Sequence, residues 1–172
     1  MRGRPQKHPM RPELRLPAMA QPGEGIRPLV LDTNIVLDLF LFADPAVAGV
    51  RTLLQARRLD WAATQAMRDE LEHVLHYPHL QPRMRYYDTT AQDILAAFDA
   101  GARLAPEAAR APYVCKDADD QKFIDLAVAQ RAILISKDKA VLCMRKRLLG
   151  LDVQVAAAIA IEAPCAVHGV QT

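Results

Sequence analysis

Two short apolar runs constrain this chain more than any other feature. They are Leu29-Val30-Leu31 and Ala132-Ile133-Leu134-Ile135, and each is cut off by a polar triplet containing an aspartate. The first ends at Asp32-Thr33-Asn34 and the second at Ser136-Lys137-Asp138. Runs this short, without polar alternation, read as strands buried on both faces, as in a parallel sheet. Segments with helical spacing fill the interval. Pro45 marks a helix start and 46–58 reads helical; Leu59 to Ala63 is another short strand. Thr64 is placed to cap a helix running to about His76, where Pro78 stops it. Thr89 or Thr90 opens a helix to about Leu104, with Ile94, Leu95, Phe98 and Ala102 on one face. Pro106 and Pro112 bracket a loop, after which Asp119 or Asp120 begins a helix with Phe123, Ile124, Ala127 and Val128 inward. A last helix carries Arg145-Lys146-Arg147 and closes at Gly150, a C-cap signal, before a final strand over Leu151 to Val155. Strands alternating with helices predict an α/β fold: a three-layer α/β/α sandwich around a central parallel sheet.

Length suits one domain with its own core, since 172 residues bury enough surface without staples. Residues 1–27 contain Pro5, Pro9, Pro12, Pro17 and Pro22 and no helical or strand period, so they are expected to be a disordered basic tail ahead of a folded domain over 28–172. The tail holds six Arg or Lys against two Glu, a net +4, leaving sixteen basic and eighteen acidic residues, or −2, for the rest. Bulk charge on the folded part therefore does not point to nucleic acid. Three widely spaced cysteines without a CxxC pair exclude a disulfide framework. Cys115 reads as a buried or loop thiol with no second cysteine near it, and the absence of a signal-peptide pattern fits a reducing cytoplasm. No apolar stretch approaches the roughly 18 residues of a membrane span.

In an open α/β sheet, ligands bind at the carboxyl ends of the strands, so Asp32 and Asp138 are expected at one edge. Asp120 stands at a helix N-terminus, where free N–H groups favour a carboxylate. Glu70 lies on the helix after the 59–63 strand, with Leu71, Val74 and Leu75 packing that helix down. Asp69 and Glu72 compete with Glu70, and Asp117 and Asp119 with Asp120. Carboxylates gathered from distant segments repel and resist ionising, a conflict that a divalent cation removes. An all-oxygen donor set without His or Cys points to Mg²⁺ or Mn²⁺ rather than zinc. His73, His76 and His79 lie three apart, but Pro78 breaks the helix before His79 can share a face, and there is no HExxH.

These segments resemble the PIN-domain family. "VLDTNIVLDLF" is similar to its first motif, "MRDELEHVL" to its acidic helix, and "CKDADDQKFIDLAVAQRAILISKDKAVL" to the stretch holding its last two acidic positions. The resemblance covers nearly all of residues 29–155 and is closest to the branch described as toxin components of type II toxin–antitoxin systems. It implies a Mg²⁺- or Mn²⁺-dependent endoribonuclease that cleaves single-stranded RNA with metal-activated water. Asp32, Glu70, Asp120 and Asp138 would be its catalytic and metal-binding quartet. Asn34, and Thr33 or Ser136 through a hydroxyl, would support the site, Ser136 standing where the family usually has Thr. Lys116, Lys122, Lys137 and Lys139 flank the acids and would contact RNA phosphates. The resemblance also implies a small protein antitoxin bound across the acidic cleft, and homodimers. Two alternatives are weighed against this. A catalytically inactive PIN-like domain that binds RNA or a partner protein is disfavoured because all four acidic positions are occupied. A haloacid-dehalogenase-type phosphatase needs a second Asp two residues after the first, where this chain has Asn34.

Overall fold

The computed structural model describes residues 11–163. Five strands form the central sheet: β2 (Arg27–Leu31), β3 (Leu59–Ala63), β4 (Arg103–Leu104), β5 (Ile133–Ile135) and β6 (Gln154–Ala156). Their order is β4-β3-β2-β5-β6 and every pairing is parallel, as the apolar runs predict. Leu29, Val30, Leu31 and Ile133 to Ile135 are all buried, because the two middle strands are covered on both faces.

The chain builds the sheet outward from β2 in two directions. It first passes through α1 (Thr33–Leu37), α2 (Ala48–Gln55) and β3, then through α3 (Gln65–Leu75), α4 (Gln81–Tyr86) and α5 (Ala91–Gly101) to β4. It then returns through α6 (Gln121–Gln130) to β5 on the other side of β2, and continues through α7 (Lys139–Leu142) and α8 (Arg145–Leu149) to β6. Right-handed crossovers that reverse direction place the two groups of helices on opposite faces. The three-layer sandwich follows. The strand order reverses between β2 and β5, which makes that gap the switch-point crevice of the sheet. Thr64 caps α3 by accepting the Met67 N–H, and Thr90 caps α5 in a reciprocal box with Asp93. Trp61 is buried edge-on against Phe98, their ring centroids 5.0 Å apart, locking α5 onto β3.

Two boundaries differ from the sequence expectation. The helix expected to reach Leu104 stops at Gly101, because Arg103 and Leu104 pair with Ala62 and Ala63 as the edge strand β4. The last strand of the sheet begins at Gln154 rather than Leu151, because α8 is followed by a tight turn. Asp152 (φ 62°) is the left-handed residue of that turn, while Gly150 is right-handed. Leu37 runs on into a π-helical turn over Asp38–Phe42, which carries Asp38 inward.

The largest correction concerns residues 11–27. Residues 1–10 lie outside the described residues, but Glu13–Pro17 form a strand, β1, paired in parallel with β7 (Ala158–Glu162). Leu16 is buried, and the Ala157 N–H donates to the Pro12 carbonyl at 2.7 Å. Arg58 donates to the Pro17 carbonyl and pairs with Glu24 at 3.8 Å. Pro12 and Pro17 are compatible with this strand because they sit at and beyond its ends. At Gly49 of α2, an added Cβ would fall 2.0 Å from the Ile159 carbonyl oxygen, so β7 lies directly on the helix backbone. Among the described residues no single helix is long and apolar enough to cross a membrane.

Candidate metal centre

Asp32 follows β2 and Ser136 to Asp138 follow β5, so the switch-point crevice receives polar groups from both adjacent strands. The ladder itself runs past the strand ends: the Asp32 N–H donates to the Ile135 carbonyl and the Ser136 N–H to the Ala156 carbonyl, both at 3.0 Å. This fixes the backbone on which the acids are mounted. Ser136 is fully buried, donates its hydroxyl to Asp32 Oδ2 at 2.6 Å and accepts the Asp138 N–H at 3.1 Å. One hydroxyl therefore ties the two strand-end aspartates together. Asp138 caps α7 by accepting the Ala140 N–H through Oδ1 at 2.8 Å.

Asp120 arrives from the opposite layer at the N-terminus of α6. It is buried, and its Oδ2 has no hydrogen-bond partner among the described residues. Asp117, Asp120 and Asp138 each offer a carboxylate oxygen within 4.8 Å of the others. Burial, then the charges of Asp32, Asp138 and Asp117, pushes the Asp120 carboxyl up to about 7. Burial also raises Asp32, reinforced by Glu70 and Asp138 and opposed by the Ser136 hydroxyl and the Asn34 backbone N–H. Buried, mutually repelling carboxylates with an unpartnered inward oxygen are the electrostatic signature of a cation site. The donor set fits a hard divalent ion.

Glu70 stands at the rim of this cluster. Thr33 donates its hydroxyl to Oε2 at 2.6 Å and Lys122 its ammonium to Oε1 at 3.0 Å. Its two rivals point elsewhere: Asp69 accepts from Gln65 and Glu72 pairs with Arg68. Of the four acids read from the sequence, Asp120 and Asp138 belong to the tight three-carboxylate group, whereas Asp32 lies beside it, tied to Asp138 through Ser136, and Glu70 is held by Thr33 and Lys122. The third member of the group is Asp117. It is the N-cap of the short turn leading to Asp120 and was legible only as a crowding neighbour.

Of the supporting residues, Thr33 and Ser136 both bond acids, whereas Asn34 is exposed and faces Asp32 through its backbone. Lys122 and Lys137 are not free cations: the first is paired to Glu70 and the second to Asp38, because each has a carboxylate of its own chain within reach. Lys116 and Lys139 are exposed and make no ion pair among the described residues. Gln121 escaped the sequence reading. Its buried side chain accepts the Cys115 N–H at 2.6 Å and donates to the Tyr113 carbonyl and Asp125, pinning the loop that carries Asp117. Cys115 is buried as expected, but a second thiol is near it after all. Cys115 and Cys143 both donate to the Ala140 carbonyl, a neighbourhood made by α7 folding back over the loop. The three histidines do not converge: His73 meets Tyr77 edge-on at 5.3 Å, and His76 Nδ1 lies 2.7 Å from the Glu72 carbonyl.

A PIN domain family model matches residues 28–140, from β2 through the acids to the start of α7. No curated protein matches the sequence. Among solved structures, a chain of VapBC2 from Rickettsia felis, crystallised bound to a DNA fragment from their promoter, has the same fold at a TM-score of 0.51. It is 15% identical, and the match covers 75% of this chain and 98% of that one. The family match spans most of the sheet and all five acids just described. The chain belongs to the PIN domain family.

Proposed function

We propose that this protein is a divalent-metal-dependent endoribonuclease that cleaves single-stranded RNA, and that it is the toxin of a toxin–antitoxin pair. The observation that carries the nuclease reading is the buried Asp120 oxygen without a partner, in a crevice with Asp32, Asp117 and Asp138. Asp32, Asp120 and Asp138 would hold Mg²⁺ or Mn²⁺, with Asp117 and Glu70 completing the negative field. When bound, such an ion polarises a phosphoryl oxygen and activates water near neutral pH.

The chain's own residues prepare that chemistry. Ser136 keeps Asp32 oriented by donating to Oδ2, leaving Oδ1 for the ion. Metal-free Asp120 holds a proton up to about pH 7, so loading releases it. Thr33 and Lys122 hold Glu70 in place and keep a cation at the rim, where the phosphate chain enters. Lys116 and Lys139 stand beside the acids as exposed contacts for flanking phosphates. The toxin half of the reading is supported by the resemblance of the motifs to that branch and by the fold shared with a chain of VapBC2. A small antitoxin crossing the acidic crevice, homodimerisation and a cytoplasmic site of action belong to the same reading.

The test is cleavage of an unstructured oligoribonucleotide with Mn²⁺, with EDTA, and by Asp32→Asn. Cleavage should require the ion and disappear in the variant while its circular dichroism stays unchanged. Equal cleavage by the variant would remove the assignment.

A further inference from the structure

A groove of about 730 Å³ opens beside the acid cluster, between α1 with its π-helical turn and the α3–α4 corner. Asn34, two residues past Asp32, stands at its head together with Asp38. On the facing wall, Val74 lies one turn past Glu70 on α3, and Tyr77 and His79 follow from the corner just past the end of that helix, so the segment that brings Glu70 to the acids continues into the groove.

The exposed lining is aromatic and cationic. Tyr77 and Tyr87 are 38% and 44% exposed, while of the aliphatic lining residues Leu37 and Leu80 are buried and Val74 is half-buried. The rings are braced: Tyr77 between His73 and His79, and Tyr87 edge-on against Tyr86 at 5.0 Å. Arg83 lies over the Phe42 ring, 5.3 Å from its centroid. The two acids in the lining are already engaged, Asp38 by Lys137 and Asp44 by the Ala46 N–H. Braced aromatic faces beside a guanidinium are what single-stranded nucleic acid uses, since every base has a face to stack and every linkage a phosphate.

We infer that this groove is a base-stacking subsite for the nucleotides of single-stranded RNA that flank the cut, with Tyr77 and Tyr87 as its platforms and Arg83 as its phosphate contact. The inference rests on the nuclease reading above and extends it to how substrate is held. Tyr77, Tyr87 and Arg83 are positioning residues that act on RNA affinity.

The full-length protein would be assayed with Mn²⁺ on an unstructured oligouridine extending well beyond the cut on both sides, and on a dinucleotide too short to reach the tyrosines. In Tyr77→Ala and Tyr87→Ala, KM for the long RNA should rise about tenfold at unchanged kcat. KM for the dinucleotide should not move. Tyr77→Phe and Tyr87→Phe should restore the wild-type KM, because they keep the ring. Wild-type KM for the long RNA in both alanine variants would overturn the subsite, as would equal losses in the phenylalanine variants or loss of protein-partner binding alone. If the wild-type protein cleaves neither RNA, the nuclease reading itself fails, an outcome distinct from a failure of the groove.

Discussion

At the carboxyl edge of β2 and β5, five acids gather, two of them, Asp32 and Asp120, buried, and one buried Asp120 oxygen has no hydrogen-bond partner among the described residues. Across the molecule, the β1–β7 ribbon satisfies its backbone strand to strand and buries Leu16 and Ile159. The first region is held in place against its own electrostatics by the rigid sheet beneath it; the second adds to the packing of the whole. A fold can carry a destabilised site only where neighbouring elements over-determine it. The contrast therefore predicts opposite signs: mutating the crevice should cost activity and spare or raise stability, while mutating the ribbon or core should do the reverse.

The largest effect is expected at Asp120→Asn. Cleavage of single-stranded RNA should fall more than about 100-fold, beyond the roughly 10–100-fold typical of outer partners of a metal site. The metal-free variant should melt higher than wild type at pH 8, because a buried repelling charge is gone. Leu134→Ala in the fully buried β5 should do the opposite, lowering stability to urea by about 3 kcal/mol. Gly49→Ala places a methyl group on the Ile159 carbonyl and should cost roughly 1–3 kcal/mol, with faster hydrogen exchange in β7 and cleavage retained while the protein is folded. A Gly49→Ala protein as stable as wild type would mean that the ribbon is not docked on α2.

The pH dependence sharpens the same comparison. Asp120 titrates near 7 in the metal-free fold but near 3.9 in an unfolded chain. Between these values the native state binds more protons than the unfolded one, so stability should fall as pH rises from about 4 to about 7 and then level off. Asp120→Asn should flatten that slope, whereas Gly49→Ala should shift the curve without changing its shape. Apparent Mn²⁺ affinity should rise across the same window as the competing proton leaves.

How much of each region was legible in the sequence follows from the range of the interactions that make it. The acids at positions 32 and 138 end apolar runs of a kind that only buried parallel strands produce, so their common edge could be read from local pattern. Asp120 was legible as the start of a helix, and Glu70 only through family likeness, since Asp69 and Glu72 present the same chemistry until α3 is docked. The Ser136 bridge, the entry of Asp117 and the hold of Gln121 on its loop depend on side chains meeting across layers. The ribbon was missed for a related reason. The alternation Glu13-Leu14-Arg15-Leu16 is a strand pattern, but it stands between prolines and its partner lies at the far end of the chain. No local signal announces a parallel pairing across that separation. The lysines show the limit of reading charge by sequence position, because Lys122 and Lys137 flank the acids and are paired to acids of their own chain.

A crystal structure of the full chain soaked in Mn²⁺, with the ion located by its anomalous signal, would show directly whether these acids hold a metal. An ion is expected in the crevice at about 2.0–2.2 Å from carboxylate oxygens of Asp32, Asp120 and Asp138, the buried Asp120 oxygen among them. An empty crevice at saturating Mn²⁺, with Asp120 still unpartnered or the ion bound at another set of acids, would contradict that expectation.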